Sequence, residues 1–213
     1  MIMKRVFMFV ALAVAFVFSD IDLSAQFISE KKVEKDAKKQ AKVFVKEGWK
    51  VAPGLPSIEL QQIKAGKINN QTDENFNSKY VMGEGMAVGP NYDAAKYQAT
   101  ELAKIDIAGK ITSELVGIVS TNVGNEQLEA GQAAAITKTV GSYKSFVAAK
   151  LTNIISCIDM YKVDPQTGNS TVSIGIFYNK EEAIRAGIQE VREQLMKESK
   201  ELGEELDKLL NIK

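Results

Sequence analysis

The chain has few residues that could do chemistry, since its 213 residues include no histidine and a single cysteine. Imidazole is the usual base of nucleophilic catalysis and a common zinc ligand, so Ser-His-Asp and Cys-His catalysis are excluded and metal ligands are scarce. Paired carboxylates could still act as acid and base, as in glycosidases. Most Asp and Glu residues, however, alternate with Lys in helical runs typical of solvated faces. We expect no catalytic residue, no cofactor and no metal site.

A glycine cluster, Gly83, Gly85 and Gly89, precedes a predicted helix. Such a cluster can present backbone N–H groups to a dinucleotide pyrophosphate. Pro90 stands where that helix should begin to offer donors, and no alternation of parallel strands and helices follows. The sequence therefore predicts a strand in which the glycines mark a bulge or the close approach of another backbone.

Aromatic side chains offer a second chemistry, because their ring faces can stack on a sugar or a peptide. Trp49, Tyr80 and Tyr92 are the candidates for such a ligand platform. Their scatter along the chain is also typical of rings that pack in a core. Burial of Trp49 would count against the platform.

The C-terminal region carries an apolar stripe at helical spacing, which could dock a partner helix or a second copy of the chain. Packing against the chain's own core is the alternative, and Gly187 and Gly203 weaken a strict coiled coil. Cys157 is expected to be a buried structural thiol. The stripe consists of Ile188, Val191, Leu195, Leu202, Leu206 and Leu209.

Periodicity assigns these residues to a small number of elements. Strands are predicted over about residues 79–88, 154–163 and 171–178, the last two forming a β-hairpin. Helices are predicted over residues 29–46, 57–65, 93–120 and 133–150, and from residue 181 to the end of the chain. The sequence therefore predicts an α+β fold, in which an antiparallel or mixed sheet is covered by long helices. The expected order is β-α-α-β-β-α after an N-terminal helical segment.

The helix over residues 93–120 should lie close against the sheet, because its apolar face is rich in alanine. Asp93 is its predicted N-terminal cap, and Ser57 caps the shorter helix, which should end before Gly66. Residues 69–78 are predicted to form a mobile polar loop. The apolar face of the long helix is assigned to Ala94, Ala95, Leu102, Ile105, Ala108, Ile111, Leu115 and Ile118.

The first 25 residues have the pattern of a signal peptide. Lys4 and Arg5 precede an unbroken apolar run over residues 7–18, and cleavage is expected after Ala25. A bilayer span takes about 20 apolar residues, so this run is too short, and a retained signal anchor is the alternative. The predicted domains are a signal peptide (1–25), an N-terminal helical segment and loop (26–78) and an α+β domain (79–213).

The balance of basic and acidic side chains limits which classes of partner the protein is expected to bind. The 27 basic and 27 acidic side chains balance, and residues 1–25 contain two of each. Without a basic surface, no nucleic acid partner is expected. We expect a periplasmic, outer-membrane-associated or extracellular protein, with no transmembrane span in the mature chain and with an envelope protein or a second copy as partner.

Four stretches carry a resemblance to known proteins. Residues 83–87, 91–96 and 99–111, together with residues 46–54, resemble exported proteins of unknown function from Bacteroides-like bacteria. More distantly, a strand entering an Ala-rich helix, then a hairpin and a helix, is similar to the LPP-twenty type lipoprotein domain of Gram-negative cell envelopes. The resemblance covers roughly residues 46–180 and implies a non-enzymatic, envelope-associated α+β domain. The chain lacks the acylated cysteine of those lipoproteins.

Two functions of different class follow from the sequence. The first is a structural or adaptor role through protein–protein contact, by the N-terminal helices, a sheet edge or the C-terminal stripe. The second is a small-ligand, glycan or peptide-binding module that uses the aromatic platform.

Overall fold

The computed structural model of the protein describes residues 30–125, 130–141, 151 and 153–210. It confirms the α+β fold, and the strand ends lie within one residue of those predicted. The predicted signal peptide lies outside the described residues, as do residues 142–150 of the predicted helix 133–150. The elements are α1 (Glu30–Lys46), α2 (Ile58–Asn69), β1 (Tyr80–Gly89), α3 (Tyr92–Asn125), α4 (Ala130–Gly141), β2 (Ile155–Val163), β3 (Ser170–Asn179), α5 (Lys180–Glu198) and α6 (Lys200–Leu209).

The three strands form an antiparallel sheet in the order β1-β3-β2. The predicted hairpin joins β2 to β3, and Gly168 in its turn takes a φ of 74° that L side chains rarely adopt. The pairing of β1 with β3 is continuous. The one register shift lies in β2, between Ser156 and Ile158. The glycines of β1 therefore do not mark a bulge.

Helices cover both faces of the sheet. On one face α3 packs against β1 and β3, and beyond the sheet it packs with α4, α5 and α6 around Leu115, Val119 and Leu195. On the other face α1 and α2 pack around Phe44, Trp49 and Phe177. The N-terminal helical segment is therefore part of the same packed body as the sheet.

The glycines of β1 lie against an alanine ridge on α3, which we define as Ala95, Ala99 and Ala103. All three alanines are fully buried. A Cβ atom on Gly85 would lie 1.9 Å from the carbonyl oxygen of Ala99, and one on Gly83 would lie 2.2 Å from that of Ala103. The two backbones are therefore in direct contact, which confirms the close approach that the sequence predicted.

This contact determines which face of α3 is buried. Ala95, Ala108, Ile111 and Leu115 lie inside as predicted, whereas Leu102 and Ile105 remain 44% and 40% exposed. The assignment of these last two residues to the core was wrong. The helix is rotated so that its alanines, rather than its largest apolar side chains, meet the glycines of the strand.

Three helix ends differ from the predictions because of side-chain contacts. The side chain of Asn91, not Asp93, caps α3 by accepting from the N–H of Ala94 at 2.9 Å. Ser57 caps α2 as predicted. That helix continues past Gly66, where the missing side chain makes room for Val33 of α1. α3 continues beyond Asn122, whose amide donates to a carbonyl at the end of α6.

The predicted C-terminal helix is in fact two helices, because the chain folds back at Ser199. Gly203 permits the tight turn, since a Cβ there would lie 2.6 Å from the side chain of Met196. The Nε atom of Arg192 donates to both carboxylate oxygens of Asp207, at 2.7 and 2.9 Å. The apolar stripe therefore folds on itself and packs against α3.

The glycine and alanine contact gives a test of the fold. Gly85→Ala should lower the free energy of unfolding by about 3 kcal/mol, because the backbones of β1 and α3 must separate. Gly117→Ala is the matched control, since Gly117 lies on α3 with open space around it and should gain up to about 1 kcal/mol. Urea denaturation followed by circular dichroism measures both. Equal stability of Gly85→Ala and the unmodified protein would contradict the contact.

Candidate functional site

The outer edge of β2 has several of its backbone groups covered by neighbouring parts of the chain. The side-chain amide of Gln61 accepts from the N–H of Asp159 at 2.7 Å and donates to its carbonyl at 3.1 Å. The backbone of Lys50 exchanges two hydrogen bonds with that of Tyr161. Lys64 donates to the carbonyl of Ser156. These contacts occupy this edge at three places, as expected for an edge protected from other strands.

Half of the outer edge of β1 is covered in a similar way, by side chains of α3. Asp106 accepts from the N–H of Glu84 at 3.1 Å, and Lys110 donates to the carbonyl of Met82 at 2.8 Å. Asp106 and Lys110 also form an ion pair with each other at 2.8 Å. Two residues one helical turn apart thus bind one outward backbone group on each of two successive outward residues of the strand.

In the part of the chain that the structure describes, no side chain covers the other half of the β1 edge. Antiparallel pairing turns both backbone groups of alternate residues outward, so those of Met86 and Val88 point the same way as those of Glu84. One turn before Asp106 on α3, the residue is Leu102, which has no hydrogen-bonding side chain. We call Met86, Val88 and Leu102 the open edge.

The open edge is also apolar. Met86 is 46% exposed and Val88 59% exposed, and Leu102, which is 44% exposed, lies on the same side of α3 as Asp106. Unpaired backbone groups flanked by exposed apolar side chains are the features that let a sheet accept another strand.

A small cavity of about 210 Å³ lies beside the open edge, on the sheet face covered by α1. We call it the Trp49 pocket. Most of its lining side chains are apolar, and Ser173 and Glu84 are its polar lining residues. Its lining consists of Phe44, Trp49, Glu84, Gly85, Met86, Met160 and Ser173.

Glu84 stands where the covered and open halves of the edge meet. Desolvation by nearby protein atoms raises the pKa of its carboxyl group, and the negative charge of Asp106 adds to this rise. The positive charge of Lys110 opposes it without cancelling it. The ionised carboxylate of Glu84 would therefore gain from a further positive charge at this position.

The structure does not bring the three residues of the aromatic platform together. Trp49 is only 3% exposed, at the wall of the pocket, and its Nε1 atom has no hydrogen-bond partner in the described part of the chain. The ammonium of Lys162 lies 4.8 Å from the centroid of the Trp49 ring. Tyr80 packs with the same cluster, whereas Tyr92 packs on the opposite face of the sheet. No shared ring surface results.

Tyr92 belongs instead to a polar cluster that ties α3 to β2. Its hydroxyl donates to Asp159 at 2.8 Å, and Lys96 forms an ion pair with the same carboxylate at 2.6 Å. Burial acts to lower the pKa of Lys96, but the hydrogen bond and charge of Asp159 raise it overall. The acidic and basic groups satisfy one another, so this cluster positions the helix.

The C-terminal stripe lies inside the protein. Val191, Leu195, Leu206 and Leu209 are buried, and Ile188 and Leu202 pack partly buried against the same core. Their contacts with α3 and α4 account for the stripe without a partner helix.

Cys157 and the acidic side chains are the other groups that could carry chemistry. Cys157 is buried, and that burial raises the pKa of its thiol. In the ranges that the structure describes, no three His, Cys, Asp or Glu side chains are grouped so as to hold a metal ion. Across the same ranges, no helix has both the length and the apolar character needed to cross a membrane. Comparison of the chain with protein-family models, curated proteins and solved structures gives no match.

Sequence reasoning found the strand but not its open edge. The sequence signal lies in α3, where Leu102, Asp106 and Lys110 repeat at intervals of four and therefore share one side of the helix. This spacing indicates which part of the β1 edge is covered only when α3 is known to lie along β1.

Proline substitutions test which backbone groups of β1 point outward. Met86→Pro should cost about 1 kcal/mol or less, because it removes an N–H that has no partner in the sheet. Ala87→Pro should cost about 3 kcal/mol or more, because the N–H of Ala87 pairs with β3. Thermal unfolding of the two variants compares them directly. Equal losses of stability would show that the edge is assigned to the wrong residues.

Removal of a covering side chain should extend the open edge. In Asp106→Ala the amide of Glu84 loses its acceptor, so its hydrogen exchange should become at least about tenfold faster. Glu101→Ala, which removes an ion pair with Lys104 elsewhere on α3, is the control and should leave that amide unchanged. Exchange measured by NMR gives both rates. An unchanged rate in Asp106→Ala would show that the carboxylate does not protect the strand.

Proposed function

We propose that the protein is a non-enzymatic cell-envelope protein that binds an extended segment of a partner protein by strand addition at the open edge. The observation that carries this proposal is the contrast within β1. Charged side chains of α3 bind the carbonyl of Met82 and the N–H of Glu84. Among the described residues no side chain covers the outward groups of Met86 and Val88, whose own side chains are exposed and apolar.

The chemistry of the open edge selects the kind of partner. Four outward backbone groups, two donors and two acceptors at strand spacing, are complementary to another extended backbone. Main-chain hydrogen bonds supply affinity in this mode of recognition, and pockets for alternate side chains supply specificity. Met86 lines the Trp49 pocket, which lies on the sheet face toward which a side chain opposite Met86 would project.

The location in the cell envelope rests on the N-terminal sequence, where a basic start and an apolar run precede a small residue. An adaptor that is exported in this way would meet its partner in the periplasm or at the outer membrane. The aromatic platform is the weaker alternative, because Trp49 is buried and Tyr92 lies on the other side of the sheet.

Site-specific photo-crosslinking in the native envelope tests the proposal. A photoreactive residue at Val88 should give a discrete crosslinked product, because a bound segment would lie beside it. The same residue at Val163, which is 52% exposed on β2, is the matched control and should give none. Met86→Pro in the Val88 protein should abolish the product, since it removes one of the two outward donors.

The crosslinked products distinguish strand addition from the alternatives. A Val88 product that Met86→Pro removes supports strand addition. A crosslinked product of twice the chain mass would show that the bound segment belongs to a second copy of this chain and not to another protein. Equal products at Val88 and Val163, or a Val88 product that persists in Met86→Pro, would contradict a site at the open edge.

A further inference from the structure

We infer that the segment bound at the open edge carries a lysine or arginine opposite Glu84. The residue of the segment that lies opposite Met86, two positions away, is apolar. This inference rests on the proposed function and adds the chemistry of the partner to it. It follows from the alternation of side chains along a strand and from the charge of Glu84 at one end of the site.

The spacing comes from strand geometry. Glu84, Met86 and Val88 project from the same face of β1, and residues of an added strand on that face would stand opposite them at every second position. The residue opposite Met86 would project on the same side of the sheet as the Trp49 pocket, which Met86 lines, and the residue two positions away would face Glu84.

The charge comes from the surroundings of Glu84. Among the residues that the structure describes, no basic side chain forms an ion pair with its carboxylate, because Lys110 is engaged by Asp106 and by the carbonyl of Met82. Glu84 lines both the Trp49 pocket and a second depression of about 340 Å³ along the covered half of the edge. A basic side chain arriving here would lay its methylene groups on Met82 and Met86.

The residue opposite Val88 would lie beside an exposed apolar side chain. An uncharged residue there keeps the basic side chain of the segment at Glu84, so the pattern is basic opposite Glu84, apolar opposite Met86 and uncharged opposite Val88.

Two short peptides test the inference against the isotopically labelled protein. The first, acetylated and amidated, has the sequence Val-Thr-Leu-Thr-Lys, which places the lysine opposite Glu84 when the peptide adds antiparallel to β1, and the second replaces this lysine with glutamate. At low salt the lysine peptide should bind about twofold to fivefold more tightly, as expected for a cross-strand ion pair, and about 0.5 M salt should reduce the difference. NMR titration of the Met86 and Val88 amide signals measures both affinities.

Charge variants of the protein complete the test. Glu84→Lys should reverse the preference, and Glu84→Gln should remove it while leaving the apolar contacts in place. Equal affinities of the two peptides for the unmodified protein would overturn the basic residue but leave strand addition standing. Failure of both peptides to move the Met86 and Val88 signals would instead overturn strand addition.

Discussion

The contact between the glycines of β1 and the alanine ridge of α3 is the constraint on which the rest of the molecule depends. Two backbones that touch have no side chains between them to adjust, so the position and rotation of the helix follow from the strand. The other faces of α3 are then fixed as well. One side points to the edge of β1, and the part beyond the sheet meets α4, α5 and α6.

The edge of the sheet shows how this constraint reaches the functional site. An edge strand is covered when a polar side chain lies level with each residue whose backbone groups point outward. α3 provides such side chains at Asp106 and Lys110. Its next position in the same row is Leu102, which leaves the strand uncovered. A single row of one helix therefore contains both the protection of the sheet and the gap in that protection.

The sequence predicted the order and type of the elements because periodicity is a local property, visible in ten or fifteen consecutive residues. It failed for the buried face of α3, where Leu102 and Ile105 are more apolar than the alanines that the strand requires. It also failed at Ser199, because the apolar stripe continues through the turn. The contact of Gly203 with Met196 and the ion pair of Arg192 with Asp207, which show that the chain reverses, are not visible in the sequence pattern.

The candidate site could not be predicted for a related reason. Exposure of Met86 and Val88 depends on how much of the sheet face α1 covers, and the direction of their N–H groups depends on the register with β3. The burial of Trp49 likewise depends on the packing of α1 and α2. Each of these facts joins residues that are far apart in the chain.

The agreement between α3 and β1 also limits how this protein can change in evolution. Four helical residues advance about 6 Å and two strand residues about 6.6 Å, so each turn of α3 meets the next outward residue of β1 over a short distance. Inserting one residue between Ala99 and Asp106 would rotate the carboxylate by about 100° away from the strand. Related chains should therefore vary in length in their loops, while the spacing from Ala99 to Lys110 stays the same.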